Sequence, residues 1–342
     1  MSSVATLIAG NPQLIGVPCS IRLLTTHPAV GERTVGSIVR SLFYTARTAG
    51  IIAVRRPDIV HLFVGPRGSL ARKTFLGGVA RRSGSHVLAH MHSGDIDLVL
   101  EGGPAPGVPR ERLASLIRRS DIVAVLWPLR ADPALVGDTP VRVVPNPVEP
   151  LPAPPARERT VDVTWLGRLV PEKNVTFLAE IVEELAPAKT GLRVVIAGEP
   201  VGAQGERAAQ RMRAAGAELP GWVARDEALA LLADTRVLFH PSARESLPMS
   251  VLEAGASGCA VVAGPVTSLP YLLGDGRGTL VGGSDPVDWA LAVRCELDRV
   301  AAQPDEIPGP AFRDFVRDQY ATARAMAALG GVYAEMLAGA RR

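Results

Sequence analysis

The stretch Arg236-Val237-Leu238-Phe239-His240-Pro241-Ser242-Ala243-Arg244-Glu245-Ser246-Leu247-Pro248-Met249-Ser250-Val251-Leu252-Glu253-Ala254-Gly255-Ala256-Ser257-Gly258 decides how this chain is built. Arg236–His240 is an apolar β-run, Pro241 breaks it, and Leu247–Ser257 has helical composition. Gly258 stands where a helix C′ residue is wanted, and Cys259–Ala263 reads as the next strand. Glu245 and Glu253 lie eight positions apart, which turns a helix by ~800°, or ~80° past two full turns. One helical face cannot hold both, so the spacing predicts Glu245 in a loop and Glu253 on the helix that the loop opens. A loop carboxylate beside free helix amides suits a ligand that is both polyhydroxylated and anionic. The acid takes hydroxyls, and the helix N-terminus takes phosphate.

Working outward, strand–helix alternation fills both halves. Candidate strands are Ser20–Thr25, Ile59–Val64, His86–His92, Asp121–Leu126 and Val141–Val144, then Val161–Leu166, Leu192–Ala197, Arg236–His240, Ala260–Ala263 and Thr279–Val281. Helical spacing runs over Leu178–Leu185, Asp226–Leu232 and Phe312–Met336, the last interrupted by Gly330-Gly331. Between the two strand series, Pro145, Pro147 and Leu151-Pro152-Ala153-Pro154-Pro155 exclude helix and central strand, and read as an extended linker. The pattern predicts an α/β chain of two Rossmann-like parallel-sheet domains facing across a cleft. The first spans 1–150, a Pro-rich linker 151–160, the second domain 161–311, and a helical tail 312–342 packs back on the first domain. A length of 342 residues fits two domains of ~150 each.

Composition narrows the function. Basic and acidic residues number 37 and 34, for a net charge of +3, which gives no case for a dedicated nucleic-acid binder. Cys19, Cys259 and Cys295 lack metal-ligand spacing and read as buried thiols in a reducing compartment. No apolar run reaches the ~18 residues of a membrane span, and Met1–Thr6 lacks the basic start of a signal peptide. The expectation is a cytoplasmic protein. Basic residues gather at Arg67, Arg72, Lys73, Arg81 and Arg82, and at Arg110, Arg112, Arg118 and Arg119. They read as solvated helix faces or as a surface for an acceptor or the anionic inner membrane face.

A second element is Trp165-Leu166-Gly167-Arg168-Leu169-Val170-Pro171-Glu172-Lys173-Asn174. A strand ends at Gly167, and Arg168 and Lys173 bracket the loop that follows. Two cations at a strand's carboxyl end suit a diphosphate. Ile196-Ala197-Gly198-Glu199-Pro200 is a third strand ending in a turn. Together with Gly221-Trp222-Val223, Ala89-His90-Met91-His92-Ser93-Gly94 and Val144-Pro145-Asn146-Pro147, these elements resemble the family 4 glycosyltransferases, the glycosyl transferases group 1, over nearly the whole chain.

The resemblance implies a GT-B fold and retaining transfer of a sugar from a UDP- or GDP-linked donor to a glycan, lipid or small-molecule acceptor. Arg168, Lys173, Leu247 and Pro248 would hold the diphosphate and replace the metal used by other glycosyltransferases. Glu245 would contact the donor sugar's hydroxyls, with His92 near the reaction centre. Glu253, Gly198 and Val223 would hold the ribose and base. Ser93, Gly94 and Asn146 would lie on the acceptor side. No cofactor is implied beyond the nucleotide sugar itself.

The sequence departs from the family pattern in places. Ser246-Leu247-Pro248 stands where the family often has Gly-Phe-Gly, and Pro248 removes one backbone N–H. Asp95-Ile96-Asp97 is a metal–nucleotide motif in another glycosyltransferase fold, but here it follows the His-Ser-Gly turn, and no metal is expected. A phosphorylase would need a cofactor-binding lysine in the second domain, and Lys173 and Lys189 lack that context. The usual first strand and Gly-rich loop are also missing, with Met1–Ile8 reading as the first helix. The expectation is a native start upstream or a truncated form. The alternative function is therefore a GT-B protein that binds donor or a partner subunit without turnover.

Overall fold

The computed structural model describes residues 2–26 and 35–339. They fall into two compact units, Met1–Pro147 with Ala323–Arg342, and Val148–Thr322. The strands are β1 Ile59–Val64, β2 His86–Met91, β3 Ile122–Val125, β4 Val141–Val143, β5 Val161–Leu166, β6 Val194–Ala197, β7 Glu218–Gly221, β8 Thr235–His240, β9 Ala260–Ala263 and β10 Thr279–Leu280. The helices are α1 Ser2–Gly10, α2 Val35–Arg55, α3 Gly68–Arg82, α4 Gly94–Leu100, α5 Arg110–Ile117, α6 Pro133–Val136, α7 Val175–Leu185, α8 Pro187–Thr190, α9 Gly202–Ala214, α10 Arg225–Ala233, α11 Met249–Ala256, α12 Leu269–Leu273, α13 Pro286–Ala301, α14 Pro310–Tyr320 and α15 Thr322–Ala338.

The first unit carries a parallel sheet in the order β1-β2-β3-β4. Its central strands β2 and β3 are buried on both faces, as a covered parallel sheet requires, while β4 is largely exposed. Leu62, Val64, Val87 and Met91 join Leu70, Leu76 and Leu113 in one core. Leu88, Ile122 and Ala124 join Val4, Ile8, Met326, Leu329 and Met336 in another, so α1 and α15 share this unit's core. Ser20–Thr25 is not a strand, contrary to its β-branched pattern. It runs as coil, with Ile21 resting against the second core. α2 is turned unusually: Ser41, Thr45 and Thr48 are buried, while Ile38, Val39, Leu42, Phe43 and Val54 are exposed.

The helical tail breaks at Ala321 (φ −51°, ψ 140°) and not at Gly330-Gly331. Gly330 continues α15 because the helix there lies against backbone, where a Cβ would come 1.7 Å from the Ile15 carbonyl oxygen. Residues 151–160 are not a free linker. They belong to the second unit, where the Ala156 and Arg157 amides bond the carbonyls of Glu306 and Pro304. Only Cys259 of the three cysteines is buried, and Cys19 and Cys295 are exposed.

The second unit's sheet runs β10-β9-β8-β5-β6-β7, all parallel, so every carboxyl end lies along one edge. Val163, Trp165, Ile196, Val237, Phe239 and Val262 are buried beneath α7, α9 and α13. At the carboxyl edge the backbones close up. The Gly198 amide bonds the Gly221 carbonyl at 2.7 Å, and a Cβ on Gly198 would lie 1.7 Å from the Gly167 carbonyl oxygen.

Candidate functional site

Glu245 stands in the loop between β8 and α11, and Glu253 on α11, as the spacing predicts. Gly258 ends that helix at φ +71°, and the Cys259 amide bonds the Ala254 carbonyl. α11 starts at Met249, two residues later than expected, because Pro248 is its N-cap. No side chain caps it, and the amides of Met249 and Ser250 have no protein acceptor among the described residues. Its first turn thus presents N–H groups and the positive end of the helix dipole beside Glu245.

The loop after β5 brings Lys173 to the same place. Pro171–Lys173 forms one 3₁₀ turn, and Asn174 follows in the left-handed region at φ 57°. Asn174 donates a side-chain hydrogen bond to the Pro241 carbonyl, tying this loop to the one after β8. Lys173 Nζ reaches Glu245 Oε1 at 2.5 Å, and His240 Nε2 reaches the same oxygen at 2.9 Å. The carboxylate accepts only, so His240 carries its proton on Nε2. Burial alone would raise the Glu245 pKa, but the hydrogen bond and charge of His240, with those of Lys173, hold it at about 2. Oε2 makes no hydrogen bond among the described residues, and an ammonium has two further donors. Arg168 is exposed and makes no ion pair among the described residues.

Glu253 is buried and pairs with Arg225 Nη1 at 2.7 Å. Burial pushes its pKa up against the opposing pull of Arg225. Val223 is half-buried just after β7, Gly198 closes β6, and Leu247 and Pro248 are buried behind the loop. The second unit therefore assembles Lys173, Glu245, Glu253, Gly198 and Val223 at one sheet edge, with Arg168 exposed at the end of β5. Sequence reading missed three members: His240, Arg225 and Asn174. His240 ends β8 and could have been found as the only histidine of the second half.

In the first unit, His92 follows β2, Ser93 and Gly94 start α4, and buried Asn146 precedes the chain's exit from the unit. His92 lies tilted against His90, with centroids 4.3 Å apart and 53° between the ring planes, and its Nε2 is buried without a partner among the described residues. A chain of hydrogen bonds fixes its neighbours. The Val144 carbonyl can only accept, so His90 Nε2 donates to it at 2.9 Å. His90 Nδ1 then accepts from His61 Nε2 at 3.1 Å, and His61 Nδ1 accepts from the Tyr333 hydroxyl at 2.9 Å. Burial lowers the pKa of all three histidines, that of His90 to about 4. Asp97 is buried and takes a hydrogen bond from Trp127 Nε1. No metal-binding group of acidic, histidine or cysteine side chains occurs among the described residues.

Several basic side chains of the first unit's helices are engaged within the unit. Lys73 donates to Thr26, Arg81 pairs with Asp121, Arg110 with Asp132, and Arg119 bonds Ser115. Among the described residues, no helix is long and apolar enough to cross a membrane.

Two parallel-sheet α/β units of this kind make up the GT-B fold of glycosyltransferases. Residues 160–298 match the family described as glycosyl transferases group 1. It is 32% identical over 145 residues to the D-inositol 3-phosphate glycosyltransferase of Corynebacterium efficiens, covering 40% of this chain and 34% of that protein. The corresponding protein of Streptomyces bingchenggensis is 37% identical over 111 residues, 31% of this chain and 23% of its own. The matches thus span about a third or less of these relatives. Similar solved structures include sucrose-phosphate synthase from Thermosynechococcus elongatus (TM-score 0.72, 18% identity, 94% of this chain and 84% of that one). Anabaena HepE in complex with UDP and glucose has a TM-score of 0.64 at 14% identity, covering 89% and 84%.

Proposed function

We propose that the chain transfers a sugar, with retention, from a UDP- or GDP-linked donor to a glycan, lipid or small-molecule acceptor. The observation that carries this reading is the Lys173–Glu245–His240 cluster beside the uncapped start of α11. Charge builds on the departing diphosphate as the glycosidic bond breaks. Arg168, the remaining Lys173 donors and the Met249 and Ser250 amides oppose it without a metal. Glu245, kept ionised, accepts from donor-sugar hydroxyls, and Glu253 from the ribose. His92, kept neutral chiefly by its own burial, retains an unpartnered ring nitrogen able to hydrogen-bond a ligand.

The test is release of nucleoside diphosphate from a panel of UDP- and GDP-sugars. Wild type turns over one donor, and Lys173→Ala and Glu245→Ala lose the activity while keeping the fold. Wild-type rates in both variants would refute the assignment. Tight donor binding with no turnover would favour a binding protein instead.

Contact with an anionic membrane surface fits α2 better than the basic helices expected from sequence. α2 has no acidic residue, carries Arg40, Arg47 and Arg55, and exposes Ile38, Val39, Leu42, Phe43 and Val54. Apolar side chains among arginines match the interfacial layer of a bilayer. Co-sedimentation with vesicles containing phosphatidylglycerol should be lost in the Leu42→Glu/Phe43→Glu variant. Equal recovery of that variant excludes this surface.

A further inference from the structure

One side of α13 is spent on the second unit's core. Trp289, Ala290, Val293 and Val300 are buried there, and Leu297 packs against the same cluster. At about 100° per residue, the opposite side carries Val287, Asp288, Leu291, Arg294, Cys295 and Asp298, and all six are exposed. Val287 is 53% and Leu291 58% exposed. Val287, Leu291 and Cys295 form an i, i+4, i+8 line, the spacing by which one helix packs on another. Asp288 and Arg294 flank that line on its two sides. Arg294 is anchored by a hydrogen bond to the Glu184 carbonyl at 2.7 Å, and neither residue makes an ion pair among the described residues.

We propose that this face of α13 joins two copies of the chain, packed antiparallel about a two-fold axis at Leu291. A two-fold interface must be complementary to itself, so that residue i meets j and j meets i. Val287 and Cys295 lie four residues either side of Leu291, and Asp288 and Arg294 three either side. In the antiparallel pair Leu291 meets its own copy, and Val287 comes level with Cys295 of the second copy. Asp288 comes level with Arg294 of the second copy, across the seam and within an arginine's reach, so two ion pairs close at once. A parallel pair would instead set Asp288 against Asp288 and Arg294 against Arg294. A charge pattern symmetric about the helix's own midpoint fits a second copy of this chain better than an unrelated partner. The apolar line covers only ~12 Å of helix, short of the ~800 Å² per partner of a standard interface, so the dimer is weak and forms with rising concentration.

The experiment uses the full chain, with sedimentation equilibrium up to about 200 μM and melting curves to confirm the fold of each variant. Wild type should pass from monomer to dimer, and Leu291→Asp should stay monomeric. Asp288→Arg and Arg294→Asp should each weaken dimerisation roughly tenfold or more, and the double variant should restore it. Orientation is read by disulfide trapping. In the antiparallel pair the two Cys295 lie ~12 Å apart, too far to join, whereas cysteines at 291 meet. Leu291→Cys in a Cys19→Ser/Cys295→Ser background should therefore cross-link, and Cys295 in a Cys19→Ser background should not. A wild type that stays monomeric throughout leaves the face to some other partner and overturns the proposal. So does a dimer that Leu291→Asp leaves intact, a double charge swap that fails to restore pairing, or cross-linking through Cys295 alone.

Discussion

Glu245 shows what a single residue's surroundings decide. It is 9% exposed, and two donors share one of its oxygens. Replacing Lys173 with Met removes one of the charges that keeps the carboxylate ionised. The Glu245 pKa in Lys173→Met should therefore rise from about 2 toward its ordinary value, with His240 still holding it down, read by NMR titration of the carboxyl carbon. An unchanged titration would mean that Lys173 is a bystander. Arg159 offers a stability counterpart. It is 1% exposed and has no acidic partner in its hydrogen bonds; it donates instead to the carbonyls of Pro154, Leu232, Thr235 and Ser257. Leu232 and Ser257 lie at the C-terminal ends of α10 and α11, so two helix dipoles offset its charge. Arg159→Met leaves those carbonyls buried and unpaired, and should lower unfolding free energy by about 3 kcal/mol or more in urea titrations. The spacing of Glu245, Lys173 and Glu253 was legible because each sits beside its own turn signal. Their partnerships were less so: Lys173 meets Glu245 only once β5 and β8 pair, and Arg225 meets Glu253 only through packing, although His240, at the end of the strand just before Glu245, was a local signal.

At the scale of elements, the sequence was most readable where β-branched runs were long and fully buried. Ile59–Val64, Val161–Leu166 and Ala260–Ala263 appear with the expected bounds. β7 escaped because Glu218-Leu219-Pro220-Gly221 carries a proline and a charge, which only an edge strand tolerates. Ser20–Thr25 failed in the opposite sense: its alternation is genuine, but no strand pairs with it among the described residues. Gly330-Gly331 misled because glycine was read as a helix breaker, whereas Gly330 serves close approach to Ile15. The same geometry gives a prediction at Gly198, where a side chain would strike the Gly167 carbonyl. Gly198→Ala must push apart the ends of β5 and β6. It should lower the second unit's melting temperature by several degrees and weaken nucleotide binding. Wild-type values for both would show that this edge is softer than its packing implies.

For the whole molecule, the two units hold their protons differently, and acid should separate them. In the first unit His61, His90 and His92 are kept neutral by burial, His90 down to about 4, and their hydrogen-bond chain ends on Tyr333 of α15. Unfolded histidines titrate near ~6.5. Between that pH and about 4 the unfolded state binds protons that the folded unit refuses, so stability falls as pH falls through this window. The second unit's main depressed carboxylate, Glu245, works in a lower window. Its contribution is intact above the ordinary glutamate pKa and is lost only as pH drops toward about 2. Calorimetry should therefore show the first unit's transition moving to lower temperature between pH 7 and 5, with the second unit's nearly fixed. Limited proteolysis at pH 5 identifies the weakened part, with cuts expected in Met1–Pro147 and α15 rather than in Val148–Thr322. Replacing His61 and His90 with Phe and Gln removes two of the refused protons and should flatten the pH dependence of the first transition, even where it lowers the transition itself. A single transition with the same midpoint at pH 7 and 5 would sink the argument, because three buried neutral histidines cannot be silent in that window.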